Sequence, residues 1–248
     1  MKSRRAISIG LLCLMSACAT PGDSAQPTAS GTEPPTPEAT GRTSRSAPPP
    51  EPCPTGELCN GRMAPGEYTT DAVGATIVTL TLESDWDAEV SPDAGFVNLY
   101  HQGGVPAIIG LATMPDEVFA DPCDDQTRVP IGRSAAEVIQ WLEGHPAMET
   151  GEPEPVTLPG ASGLRIEVAA RKAEPCSASS QIQPDIILLW PLSQPDTAFV
   201  LIDGTTAIFY VLERGDELLV VTAETIFDPS EWRPVVKPVL ESMEFAGS

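Results

Sequence analysis

Between Ala19 and Pro52 the chain has no Val, Ile, Leu, Met or aromatic residue. Of these 34 residues, 27 are Pro, Thr, Ser, Ala or Gly. Such a segment has no core to bury and cannot offset the entropy of ordering, so it predicts a disordered tether. Flexible-chain scaling gives it a span of roughly 30–35 Å, and nine prolines stretch it further. Folding is therefore confined to residues 53–248, enough chain for one domain with its own core. No repeat at a solenoid or propeller period interrupts that stretch.

Ahead of the tether stand Lys2, Arg4 and Arg5, then the apolar run Ala6 to Ala17, then Cys18. Twelve residues suit a signal-peptide core and fall well short of the roughly 20 that cross a bilayer as a helix. Small Ser16 and Ala17 give a peptidase access to the backbone before Cys18. The run Met15-Ser16-Ala17-Cys18 resembles a bacterial lipoprotein signal, with Met15 where Leu, Val or Ile is usual. The resemblance implies cleavage after residue 17 and lipidation of Cys18 through a thioether. Residues 1–17 are then the leader, 18–52 the tether and 53–248 the domain. Two or three acyl chains make a stable anchor where one would not. The alternative is cleavage near Ala17 or Ala19 to a free exported protein. Ser3-Arg4-Arg5-Ala6-Ile7 partly resembles a twin-Arg export signal, which leaves the export route open.

The chain carries 14 basic and 35 acidic residues, a net charge of −21. Removing the leader leaves 11 basic residues and a net −24. Nucleic acid needs a basic footprint, and none exists here. Anionic headgroups repel the domain, so the lipid is its expected membrane contact. The remaining partner classes are an envelope protein or a small ligand.

Within 53–248 the apolar pattern is strand-rich. Residues 76–82 alternate β-branched and apolar side chains. Residues 95–101 and 107–114 predict the next two strands, joined through Gly103-Gly104. Residues 156–158 and 163–169 flank Pro159-Gly160-Ala161-Ser162 as a hairpin. Residues 186–190 form a short apolar run. Residues 199–202, 206–212 and 217–223 predict a meander, with turns at Asp203-Gly204 and Arg214-Gly215-Asp216. Ser134-Ala135-Ala136-Glu137 is a capping box, so a helix starts there, with Val138, Trp141 and Leu142 on one face. Gly144 and Pro146 end it. Asp228-Pro229-Ser230-Glu231 starts a second helix, which Pro234 and Pro238 should kink or split. Residues 243–245 predict an edge strand. The expected fold class is α+β: a single antiparallel β-sheet with a mid-chain helix and a C-terminal helix packed on one face.

Residues 62–248, closing on Leu240-Glu241-Ser242-Met243-Glu244-Phe245, resemble exported lipoproteins of high-GC bacteria with a PsbP-like layout. That resemblance implies an assembly or accessory role rather than an enzyme, and it brings no functional residue with it.

Cys13 lies in the leader. The four cysteines of the domain, Cys53, Cys59, Cys123 and Cys176, read as two disulfides in an exported protein. Cys53–Cys59 and Cys123–Cys176 is the favoured pairing of three. The spacings do not form metal knuckles, so no metal is expected. There is no Walker loop, dinucleotide fingerprint or nucleophile elbow, and no cofactor is expected. His101 and His145 have structural readings at a strand end and a helix end. Asp121-Pro122-Cys123-Asp124-Asp125 gathers carboxylates but lacks the EF-hand pattern, and it reads as a solvated turn. Trp141 and Trp190 sit in apolar patterns and read as core. Trp232 is placed to cap the last helix. Trp86, in Glu83-Ser84-Asp85-Trp86-Asp87, is the best candidate for an exposed partner contact. These features point to a non-enzymatic, lipid-anchored binding or accessory module. A small-molecule or glycan receptor is the second reading, and a carboxylate-dependent hydrolase the third.

Overall fold

The computed structural model describes residues 53–54, 56–171, 176, 183, 185–192, 198–225 and 229–247. Cys18 and the tether lie outside these residues. The described part is α+β and dominated by strands, but several sheets share the work rather than one.

The central sheet holds nine antiparallel strands. From one edge they run β10 (Met148–Thr150), β12 (Ala161–Ala170), β15 (Thr206–Arg214), β16 (Glu217–Thr225), β7 (Ile108–Thr113), β6 (Phe96–His101), β5 (Trp86–Ser91) and β2 (Gly61–Met63). The ninth, β11 (Glu154–Leu158), pairs with β12 beside β10. A four-stranded sheet is formed by β1 (Gly56–Glu57), β3 (Gly66–Val73), β4 (Thr76–Leu82) and β17 (Glu244–Ala246). Two hairpins stand apart: β8 (Glu117–Asp121) with β9 (Asp124–Pro130), and β13 (Ile186–Pro191) with β14 (Ala198–Ile202).

Alternation on β15 shows how the layers form. Ile208, Tyr210 and Leu212 face the small sheet and helix α2 (Pro229–Glu241). Ala207, Phe209 and Val211 face helix α1 (Ala135–Gly144) and the β13–β14 hairpin. Both faces of the strand are therefore buried, which its nearly unbroken apolar run requires. The helices lie on opposite faces of the central sheet, not on one. Periodicity assigns residues to a face but leaves open which element covers it.

Glu217 bridges the layers. It accepts hydrogen bonds from the Ala75 N–H (2.9 Å) and the Thr76 hydroxyl (2.7 Å), tying the β3–β4 turn to the β15–β16 hairpin. The small sheet is held at its other end by the Phe245 N–H, which donates to Pro159 O at 2.8 Å. Residue 160 must be glycine there. Its φ is +84°, and a Cβ would sit 1.8 Å from Phe245 O.

Helix α1 starts as expected. The Ser134 side chain accepts from the Glu137 N–H, and Glu137 accepts from the Ser134 N–H at 3.1 Å. Glu213 of β15 takes a further orphan donor, the Ala135 N–H, at 2.7 Å. Helix α2 runs unbroken through Pro234 and Pro238. Trp232, Val236, Val239 and Leu240 form its buried face, while Pro234 is exposed and Pro238 half-buried. Both prolines stand away from the buried face, and packing of that inner face outweighs their loss of helix hydrogen bonds.

The expected meander breaks at Asp203-Gly204. Gly204 makes the turn with φ +87°, but β14 pairs with β13 and leaves the central sheet. The β15–β16 hairpin keeps the expected turn, with Gly215 at φ +57°. Strand β17 takes the expected edge position beside β4.

Candidate functional site

Both expected disulfides are present. Cys53–Cys59 has a Cα–Cα distance of 5.7 Å and Cys123–Cys176 one of 5.4 Å, both within the normal range for a disulfide. The first lies at the start of the domain. The second pins the tip of the β8–β9 hairpin, and Cys176 is buried with Phe119, Ile186 and Leu188.

Trp86 is not an exposed contact. It is 0% exposed, packed in the core between the two sheets and 5.1 Å from the His101 ring. It opens β5, where Trp86, Ala88 and Val90 face inward and Asp87 and Glu89 face the other way. The polar run before it gave no sign of that strand; the alternation after it did. Trp190 and Trp232 are likewise buried, Trp232 within α2's inner face, and Trp141 is half-buried against α1's core. The large apolar residues exposed among those described, Ile77 and Val129, stand singly and form no docking patch.

Local packing accounts for the histidines. His101 Nδ1 lies 2.8 Å from Val105 O. His145 is buried after α1, edge-on to Trp141 at 5.4 Å, with Nδ1 accepting from the Ala147 N–H at 3.3 Å. Burial lowers its pKa to about 4, opposed by nearby Asp121. Asp121 itself closes the β8–β9 turn, accepting from the Cys123 N–H at 2.7 Å, which is the turn role its sequence implied. Among the described residues no group of three or more His, Cys, Asp and Glu is arranged to hold a metal.

A groove of about 400 Å³ opens beside Thr113, Pro115, Asp116, Glu117 and Arg128. Two of its charged groups are engaged: Asp116 pairs with Arg133 at 2.7 Å, and Arg128 stands 5.7 Å from the Phe119 ring.

The strongest constellation lies on the α1 side of the central sheet, where the apolar face turns polar past β16. Strand register lines up two rows. The first is Thr222, Gly110, Asn98 and Glu89, on β16, β7, β6 and β5. The second is Glu224, Ile108, Tyr100 and Asp87 on the same strands. Gly110 is the floor. A Cβ there would meet Thr222 Oγ1 at 2.7 Å, Asn98 Oδ1 at 3.3 Å and Phe199 Cε2 at 3.5 Å, so those three side chains fill the space above it. Phe199 comes from β14 and stacks on Trp190 with 4.5 Å between ring centres. The Tyr100 hydroxyl donates to Glu89 at 2.9 Å. Burial, then the Glu89 and Glu224 charges, push the Tyr100 pKa well above its usual value. The Thr222 hydroxyl is buried at 1% exposure and has no hydrogen-bond partner.

Glu224 is half-buried as a residue, yet burial alone raises its carboxyl pKa to about 8. Tyr100, Glu89 and Asp87 are the ionisable groups in its two rows, none of them cationic. Arg62, across β5 at the sheet edge, is held by Asp85 at 2.6 Å. Glu89 starts three strands away, roughly 14 Å at about 4.8 Å per strand, so it is no adjacent acid partner.

Glu224 gives a pH prediction. An unfolded glutamate titrates near 4.3, whereas this one holds its proton to about 8. Between those values the native state binds more protons than the unfolded one. Stability from this group is thus full below about pH 4 and is lost as pH rises towards 8. Glu224→Gln removes the titration. Its urea midpoint relative to wild type is expected to rise steadily between pH 5 and 8. A difference that does not change with pH contradicts the burial.

Comparison with protein-family models, curated proteins and solved structures finds no match to this chain.

Proposed function

We propose that this chain is a non-enzymatic, lipid-anchored lipoprotein of the cell envelope, held through Cys18 on the extracytoplasmic side. Residues 18–52 carry its domain away from the membrane. The pair of disulfides supports an oxidising, exported location. No helix among the described residues is long and apolar enough to cross a membrane.

Burial of Trp86 removes the partner contact first expected. The buried, unpartnered Thr222 hydroxyl beside Asn98 and Phe199 favours the receptor reading instead, since a small polar ligand would satisfy it. A thermal-shift screen of envelope metabolites on the mature chain tests it. Ligand in hundredfold excess over its Kd stabilises by about 2.7 kcal/mol, a shift of several degrees. A stabilising metabolite supports the receptor reading. A panel with no shift, together with capture of one envelope protein at stoichiometric yield, overturns it in favour of an accessory role.

A further inference from the structure

Asn60 and Asn98 are the only asparagines in the chain. Asn98 precedes Leu99 inside the central sheet. Asn60 precedes Gly61, which opens β2, the edge strand paired with β5. An asparagine followed by glycine is prone to lose its side-chain amide, because no side chain shields the glycine nitrogen from the asparagine Cγ. In the folded chain that amide is occupied. Its Nδ2 donates to Val90 O at 3.1 Å, and its Oδ1 accepts from the Val90 N–H at 2.6 Å. The side chain thus adds one rung to the β2–β5 ladder, although Asn60 itself is exposed. With both polar atoms held on β5, Cγ is not free to turn onto the Gly61 nitrogen.

The ring closed by Cys53–Cys59 holds the rung. Cys59 directly precedes Asn60, and the Cys53 N–H donates to Arg62 O at 3.2 Å, laying the ring along β2. Leu58, inside the ring, is buried in the core and donates its N–H to Thr69 O at 3.0 Å. Strand β2 is only three residues long, and a short edge strand opens locally without global unfolding once its clasp is gone.

We propose that Asn60 is a deamidation site gated by the Cys53–Cys59 disulfide. With the disulfide closed, the Val90 rung protects the amide. A dithiol reductant opens the gate: one of its thiolates attacks a cystine sulfur and its second thiol resolves the mixed disulfide. Cys53 and Cys59 are left as thiols, and the reductant becomes a disulfide. Strand β2 then frays. The Gly61 nitrogen gives its proton to solvent and attacks Asn60 Cγ, a C–N bond forms, and the side-chain nitrogen leaves as ammonia with a proton from water. Water opens the resulting succinimide at either carbonyl, giving aspartate or isoaspartate. The change is one-way. A carboxylate accepts from the Val90 N–H but cannot donate to Val90 O, and the isoaspartyl form adds a backbone carbon that puts β2 out of register. A transient reduction is thereby recorded as a lasting loosening at the start of the domain.

Peptide mass spectrometry of the full mature chain in mildly alkaline buffer follows amide loss at Asn60, with Asn98 as internal control. The oxidised chain is expected to lose the Asn60 amide at least about tenfold more slowly than the same chain in denaturing urea. Cys53→Ser with Cys59→Ser should raise the folded rate by about tenfold, and Cys123→Ser with Cys176→Ser should leave it near wild type. The second pair removes the longer link, the one with the larger expected stabilisation, so amide loss through global unfolding would be faster there instead. Hydrogen exchange at the Val90 N–H is expected to quicken in the Cys53/Cys59 variant, and circular dichroism confirms that both variants fold. An oxidised chain that deamidates as fast as the unfolded one overturns the protection. A Cys53/Cys59 variant as slow as wild type, or slower than the Cys123/Cys176 variant, overturns the gate.

Discussion

Replacing both Cys123 and Cys176 with serine is expected to lower stability by about 4 kcal/mol. The bond closes a loop between residues 53 positions apart. Loop-closure entropy for that length gives about 4 kcal/mol. The enclosed chain includes α1 and β10 to β12, so the unfolded state gains much freedom when the link goes. For a domain of this size, each kcal/mol moves Tm by roughly 2–4 °C, so the shift is on the order of 10 °C. The Cys53–Cys59 link spans a separation of only six, and the same relation gives about 2 kcal/mol for the matching double serine variant. Urea denaturation of the two variants therefore has an expected order. If the short link proves the costlier, the account of the β8–β9 anchor is wrong.

Trp86→Ala is the second large effect. A fully buried tryptophan lost from a core costs about 3–5 kcal/mol, counting transfer and the cavity left behind. Trp86→Phe should cost much less, because the indole N–H has no hydrogen-bond partner to lose. An exposed contact residue would behave differently: truncation to alanine would leave the urea midpoint within about 0.5 kcal/mol of wild type. Chemical denaturation followed by circular dichroism separates the two cases.

Trp86 also shows where sequence reading stops. The residues before it, Glu83-Ser84-Asp85, are polar and pull the eye to a surface loop. The residues after it alternate strictly, and that period-2 signal was the one to follow. Local rules worked wherever the cause was local. The capping box of α1, the Gly215 turn and the edge strand at the C-terminus all depend on a few neighbouring residues, and all are as expected. The cysteine pairing also held, because few connectivities were available. Non-local features were hidden. Nothing near Asp203-Gly204 shows that β14 joins β13 rather than β15. Nothing in the apolar runs shows that the helices cover opposite faces. The polar cluster around Gly110 was hidden for the same reason. Glu224 is one acid among 35 until strand register sets it in a row with Tyr100 and beside Thr222. Thr222 and Glu224 do carry a faint sign, since they continue the inward face of Val220 with polar groups.

The central claim is that Cys18 anchors this domain to the membrane. Mass spectrometry of the protein isolated from the membrane fraction tests it most directly. The N-terminal peptide is expected to begin at Cys18 and to carry acyl chains, while Cys18→Ala shows no acylation and is released from the membrane. A wild-type N-terminus without lipid, or a Cys18→Ala protein that stays membrane-bound, would contradict the account.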